Sequence, residues 1–274
     1  MSQRIMVLVR YFLRTLFTSL TGSIYIILTL AYWILLFNPQ QVTPDIDYFI
    51  LVAGAFGPVA AFLITLSITG RANQAVHYPL VVRLPSRVEY LTAVLTSSLL
   101  ATFALQLLLS ILALIFRGPD LTFARLIEIP PIWLGPTILA SVLALHASDL
   151  VTQGWSRIYV FGFLAIFLFG QSIKSDNLVR MLNGISRYAT NQGWFEISST
   201  FSNWSGAVGS ADTNTLSRFF GFLFWPFRAL TEATVNGAFT GTQALAPAIL
   251  LLYATILFLL AADLFSNKDL TFTE

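Results

Sequence analysis

Long apolar runs separated by short polar breaks organise this chain. Crossing the hydrocarbon core takes about 20 predominantly apolar residues. Five runs reach roughly that length: 20–37, 48–69, 91–116, 155–173 and 244–264. A sixth, 132–150, is more polar but long enough. The breaks carry turn chemistry in Asn38-Pro39, Gly118-Pro119, Pro130-Pro131 and Gln153-Gly154. Residues 216–227 are apolar but too short to cross, which predicts an interfacial or re-entrant element. Residues 3–18 mix Arg with Ile, Val, Leu and Phe. Met6, Val9, Leu13 and Phe17 share one helical face, and Arg10 and Arg14 share another at i,i+4 spacing. Such a segment suits a helix lying in the membrane interface, the plainer alternative being a basic flank that anchors the first span. It is not expected to be a cleaved signal, because its apolar run is long and no small-residue cleavage site closes it.

The pattern predicts an all-α polytopic membrane protein in one transmembrane domain over 1–274. Its parts are six transmembrane helices, an N-terminal amphipathic interfacial helix and short external helices before the last span. The external region is 174–243, rich in Ser, Asn, Thr and Gly and interspersed with Trp194, Phe195, Phe201 and Trp204. A stretch of this length is too long for a plain connection.

Composition agrees. Hydrophobic residues make up 56% of the 274 and charged residues only 10%, where a soluble domain carries about 25% charged residues. Mean hydropathy is +0.76. The 24 Phe and 6 Trp suit lipid-facing surfaces and aromatic belts. A formal charge of +2 argues against a nucleic-acid surface. The absence of cysteine excludes disulfides, thiolate metal sites and Cys nucleophiles.

Orientation follows from Lys and Arg in the short loops. Arg4, Arg10 and Arg14 precede the first span, and Arg71, Arg83 and Arg87 follow the second. Arg157 and Lys268 fall on the same side, while the loop after the first span holds only Asp45 and Asp47. Arg117 and Arg125 run against the trend but are offset by Asp120 and Glu128. Both termini are expected to be cytoplasmic, in a multi-pass protein of the cell membrane.

Chemistry is sparse. The middles of the six runs contain no Asp, Glu, Lys or Arg, the groups that usually mark ion or proton pathways. They offer only hydroxyls and amides such as Thr65, Ser67, Gln106 and Ser141. His77 and His146 read as hydrogen-bonded structural residues. No nucleotide-binding, zinc-protease or serine-hydrolase motif occurs. No catalytic residue, metal site or bound cofactor is expected. Gly57 and Pro58 loosen the second span, as a gating kink or simply as a point of close helix contact.

The densest polar stretch is 70–90, where Arg71, Arg83 and Arg87 sit with His77, Pro79 and Pro85. Ser86 is placed to cap the next helix, with Glu89 at its third position in a capping-box spacing. Capping does not account for Leu80, Val81, Val82 and Leu84, an apolar patch too short for an independent helix. Apolar residues rimmed by arginines suggest docking.

Six spans, a basic amphipathic N-terminus and Leu-Pro-Ser-Arg-Val-Glu-Tyr-Leu over 84–91 together resemble the permeases of ABC-2-type exporters. Trp225-Pro226-Phe227-Arg228 is similar to a proline-containing element before the last span in some of them. The chain departs from the pattern in having no acidic residue at 70–73. The resemblance implies that 70–90 is a coupling loop. In it Leu80, Val81, Val82, Arg83, Leu84, Pro85, Ser86, Arg87 and Glu89 would meet a separate cytoplasmic ATPase. It further implies that ATP and Mg bind that partner, and that a second permease copy completes the transporter. The substrate expected is amphiphilic. A structural subunit of a larger membrane complex is the principal alternative, and a secondary transporter or channel ranks below both for want of an ion-coupling group.

Overall fold

The computed structural model describes residues 2–38, 45–116, 118–119, 121–152, 160–162, 175–210 and 214–268, with side chains at 2, 124, 175–181 and 207–220 excepted. Among these residues the chain is all-α. The helices are α1 (Ser2–Phe17), α2 (Leu20–Phe37), α3 (Ile46–Ala72), α4 (Tyr78–Arg83), α5 (Arg87–Ile115), α6 (Phe123–Ala147), α7 (Ser175–Asn191), α8 (Phe195–Ser210), α9 (Asn214–Asn236) and α10 (Ala246–Asn267). A 3-10 turn, Ala75–His77, precedes α4, and another, Gln243–Leu245, precedes α10. The chain divides into one unit of Met1–Val160 with Pro226–Glu274 and a second of Phe161–Trp225. Five helices of the first unit are long and apolar enough to span, so the chain is a multi-pass membrane protein.

The centre of the first unit is α3, packed between α5 and α6, with α10 against α6 and α1 against α5. Half of the apolar stretch of α3 is buried, against 17% for α2 and 22% for α10, which places those two at the periphery. Outward Leu and Ile on such helices are what a hydrocarbon surrounding permits, since lipid tails are as apolar as they are. Helix starts are capped by side chains: Ser19 Oγ accepts from Gly22 N at 3.4 Å, and Asp45 Oδ1 from Asp47 N at 3.0 Å. The elbow between α1 and α2 depends on Gly22, where a Cβ would stand 2.3 Å from the Leu16 carbonyl oxygen.

Three contacts order α6 against α10. A Cβ on Gly135 would lie 3.1 Å from Leu250 Cβ, His146 Nε2 meets the Leu257 carbonyl at 2.9 Å, and Lys268 Nζ donates to the carbonyls of Asp149 and Leu150. Residue numbers rise together on the two helices, so α6 and α10 run parallel. At the end of the unit opposite α1, Arg125 bonds Asp47 at 2.6 Å and Glu128 at 3.1 Å. Arg125, one of the two cations that ran against the charge trend, is thus an ion-paired brace between the starts of α3 and α6.

Of the predicted spans, 20–37 coincides with α2, and 48–69, 91–116 and 244–264 lie within four residues of α3, α5 and α10. The run 132–150 is corrected: α6 starts at Phe123 and passes through Pro130, Pro131 and Pro136. Proline removes individual backbone donors without ending a helix that neighbouring helices hold in place. Segment 216–227 is likewise part of a longer helix, α9, continuous through Pro226. The predicted span 155–173 falls outside the described residues except for helical 160–162, as do Arg117, Asp120, Arg157 and Lys174.

Candidate coupling site

The loop between α3 and α5 is built as a chain of short elements, each with a local cause. Asn73 closes α3, its N–H reaching the Thr69 and Arg71 carbonyls. Pro79 sits in the first turn of α4, where a missing N–H costs nothing. Leu84 turns to extended backbone ahead of Pro85, and Ser86 caps α5. The six residues of α4 form a helix, contrary to the expectation from length alone, because tertiary contacts hold it. Val81 is 1% exposed and anchors it, while Leu80 is 40% and Val82 58% exposed, beside exposed Arg83. Val76, 72% exposed in the preceding turn, extends this apolar patch and was not anticipated. A hydrophobic-then-helical turn spacing, Val76 to Leu80, was the available signal.

The patch is braced from behind by aromatic packing. His77 is buried, its Nε2 3.2 Å from the Tyr11 hydroxyl on α1. Burial pushes its imidazole below the ordinary value. Phe12 lies 6.0 Å from His77 and 5.7 Å from Tyr90, centroid to centroid. Tyr90 is fully buried, donates to the Ala72 carbonyl at 2.8 Å and stacks on Phe265 of α10 at 6.4 Å. One tyrosine therefore ties together the end of α3, the N-terminal helix and the last span.

Two of the three island arginines are structural. Arg71 reaches the Thr15 carbonyl at 2.8 Å, and Ser19 Oγ and Thr21 Oγ1 at 2.7 Å each. It closes the C-terminal end of α1, where cations suit the helix dipole. Arg87 donates to the carbonyls of Ser266 (3.2 Å) and Lys268 (2.8 Å), capping α10 in the same way. It is half-buried, and these bonds commit its guanidinium to the bundle. Glu89 is buried, being 5% exposed. The capping box is half formed. Ser86 Oγ accepts from Val88 N at 3.2 Å, whereas Glu89 Oε2 is buried and has no partner among the described residues. Arg83 alone remains with Leu80, Val82 and the half-buried Leu84 and Ser86 and exposed Pro85 around it.

On α1, Arg10 and Arg14 are exposed and the opposite stripe is Leu8, Val9, Phe12 and Leu16. This stripe is rotated from the anticipated one: Met6 is 64% and Phe17 39% exposed. Side chains with i,i+4 spacing on two adjacent stripes are equally apolar in the sequence, and the Tyr11–His77 and Phe12–Tyr90 contacts choose between them.

Inside the bundle, α3 remains helical through Pro58. A Cβ on Gly57 would stand 2.6 Å from Thr137 Oγ1 and 2.9 Å from the Gln106 amide, and one on Gly54 would stand 2.8 Å from Trp133 Nε1. Gln106 donates to the Ala53 carbonyl at 3.1 Å and Trp133 to the Ile50 carbonyl at 3.0 Å. These glycines are where α5 and α6 bond the backbone of α3. Thr65, Thr137 and Ser141 hydroxyls are buried without partners among the described residues. Among those residues no three His, Cys, Asp or Glu side chains gather to hold a metal.

Comparison with known proteins gives no matching family model, no curated relative and no solved structure of matching fold. The reading of function rests on the residues.

Proposed function

We propose that this chain is the permease subunit of an ATP-driven exporter of the ABC-2 type, paired with a second permease copy and powered by a separate cytoplasmic ATPase. The observation that carries the proposal is α4, which presents Leu80, Val82 and Arg83 outward while Val81, His77 and Tyr11 brace it from the bundle side. An exposed apolar patch with a single cation on a braced element is the form of a docking site. No nucleotide-binding motif occurs in the sequence, so the energy for transport is assigned to the partner.

Six crossings are supported by the parallel run of α6 and α10. Two parallel spans require an odd number of crossings between them, and the apolar run 155–173 supplies one. The N-terminus, the α3–α5 loop, the end of α6 and the end of α10 then share one side, the cytoplasmic side by their Arg and Lys content. A thrust on α4 passes to α1 through His77 and Tyr11, and to α10 through Tyr90 and Phe265. That route moves peripheral helices against the packed α3–α5–α6 core and opens a path for an amphiphilic substrate.

Purification of the tagged full-length chain from its own host membranes tests this. A co-purifying Walker-motif ATPase is expected, and its recovery is expected to collapse in the triple variant Leu80→Asp, Val82→Asp, Arg83→Glu. Undiminished recovery with the variant, at wild-type thermal stability, refutes docking through α4.

A further inference from the structure

The second unit carries a surface that transport by the first does not use. Its helices α7 and α8 are joined through Gly193, whose φ of +75° permits a Schellman turn: Trp194 N bonds the Ala189 carbonyl at 2.9 Å and Gly193 N bonds that of Thr190 at 3.0 Å. The seam between the helices is polar. Ser186 Oγ donates to the Ser198 carbonyl at 3.0 Å, Thr190 Oγ1 meets Ser198 Oγ at 2.6 Å, and Ser205 Oγ donates to Asn183 Oδ1 at 2.6 Å. Residue numbers rise on one helix as they fall on the other, so the hairpin is antiparallel. Hydroxyls take much of the seam; of the apolar residues Leu182 and Ala189 are buried and Phe201 is half-buried, while Ile185, Tyr188, Ile197 and Trp204 are left exposed.

Those residues are ordered. On α8, Ile197, Phe201 and Trp204 follow i, i+4, i+7 spacing, with the Phe201 and Trp204 rings edge to face at 5.7 Å. On α7, Ile185 and Tyr188 follow i,i+3 spacing. The register of the antiparallel pair puts both stripes on the same side of the hairpin, and Tyr188 is 61%, Ile197 47% and Trp204 58% exposed. Glu196, Ser199, Thr200 and Asn203 occupy the other side of α8 and are exposed. The polar side is interrupted by Phe195, 70% exposed one turn before Ser199, and is otherwise free of large apolar residues from 196 to 203.

We infer that this aromatic side lies in the headgroup–acyl boundary of the bilayer, so that α7–α8 is a lipid-contacting foot. Three observations select lipid as the occupant. Tyr and Trp combine an apolar body with a polar tip and concentrate at that depth. Between 182 and 206 the only charges are Arg187 and Glu196, which cancel, so neither an acidic nor a basic macromolecule is favoured and a zwitterionic surface suffices. The chain itself tethers the hairpin to the membrane through its spans, which raises the effective concentration of the bilayer at this surface far above that of any soluble partner. A depression of about 450 Å³ at the tip, lined by Gly193, Trp194, Phe195, Glu196 and Ile197, opens broadly outward, as a surface that acyl chains or headgroups can fill.

The absence of cysteine makes the test clean. Single cysteines Ile197→Cys, Trp204→Cys, Ser199→Cys and Asn203→Cys are spin-labelled in the full-length chain in phosphatidylcholine liposomes. Collision with oxygen, which concentrates in lipid, is compared with collision with a water-soluble nickel chelate. Oxygen is expected to dominate several-fold at 197 and 204 and nickel at 199 and 203. Nickel dominating at all four places the hairpin in water and overturns the inference. Both reagents excluded at 197 and 204 means a protein covers the stripe and overturns it equally. Tyr188→Cys on α7 repeats the measurement if label at 197 disturbs α8. The outcome does not depend on whether the chain is an exporter.

Discussion

Replacing Arg71 with alanine isolates the contribution of one guanidinium to the seating of α1. It removes hydrogen bonds of 2.8, 2.7 and 2.7 Å to the Thr15 carbonyl, Ser19 Oγ and Thr21 Oγ1. Bonds from charged donors are each worth about 1.5–3 kcal/mol. Their sum overstates the loss, because Arg71 is only half buried and water can replace it at these acceptors. A net weakening of about 2–3 kcal/mol is expected, which converts to a ~30- to 150-fold rise in the population of undocked α1. Hydrogen exchange of the 2–17 backbone, in membranes at fixed pH, reads that population directly through local opening. Protection is expected to fall by the same factor, while the thermal midpoint of the whole bundle moves little, since α3, α5 and α6 keep their contacts. Arg71→Lys is expected to fall between, as an ammonium cannot span all three acceptors. Unchanged protection in Arg71→Ala refutes the staple and returns Arg71 to the role of a simple topological anchor.

Three further outcomes are expected. Gly57→Ala forces a methyl to 2.6 Å from Thr137 Oγ1, and the overpacking costs about 1–3 kcal/mol; the thermal midpoint drops, and adding Thr137→Ala restores part of it. Because burial holds the His77 imidazole below its ordinary value, the unfolded chain takes up that proton more readily. The α1–loop contact is therefore fully stable above about pH 6.5 and weakens as pH falls below it. A spin-label distance between α1 and α5 should lengthen across an acid titration in the native chain and not in His77→Phe. Arg87→Ala frees the carbonyls of Ser266 and Lys268, and faster proteolytic trimming of the C-terminal tail measures the effect.

The helices were legible where hydrophobicity alone decides. α2 matches its predicted run, and α3, α5 and α10 lie within a few residues of theirs, because hydrocarbon permits only helix there. α6 was misread at Pro130-Pro131, where a rule drawn from water was applied to a helix held by its neighbours. The stripe that α1 buries was not legible, since two adjacent faces of residues 3–18 are equally apolar and only Tyr11–His77 and Phe12–Tyr90 separate them. The arginines of the island were legible as a group but not singly. Arg71, Arg83 and Arg87 have similar surroundings in sequence, yet the partners of Arg71 and Arg87 lie 50–56 and 179–181 residues away. The exposed apolar patch of the α3–α5 loop is smaller than the sequence suggested: Leu80 and Val82 beside Arg83, with Val76 added.

The most direct measurement is site-specific photo-crosslinking from that surface in intact host membranes. A photoreactive residue at Leu80 or Val82 is predicted to join the chain to one nucleotide-binding subunit, and the same residue at exposed Ile127, at the opposite end of the bundle, is predicted not to. Crosslinks from Leu80 and Val82 to lipid alone, or to another transmembrane subunit, contradict the account and favour a structural role in a larger complex.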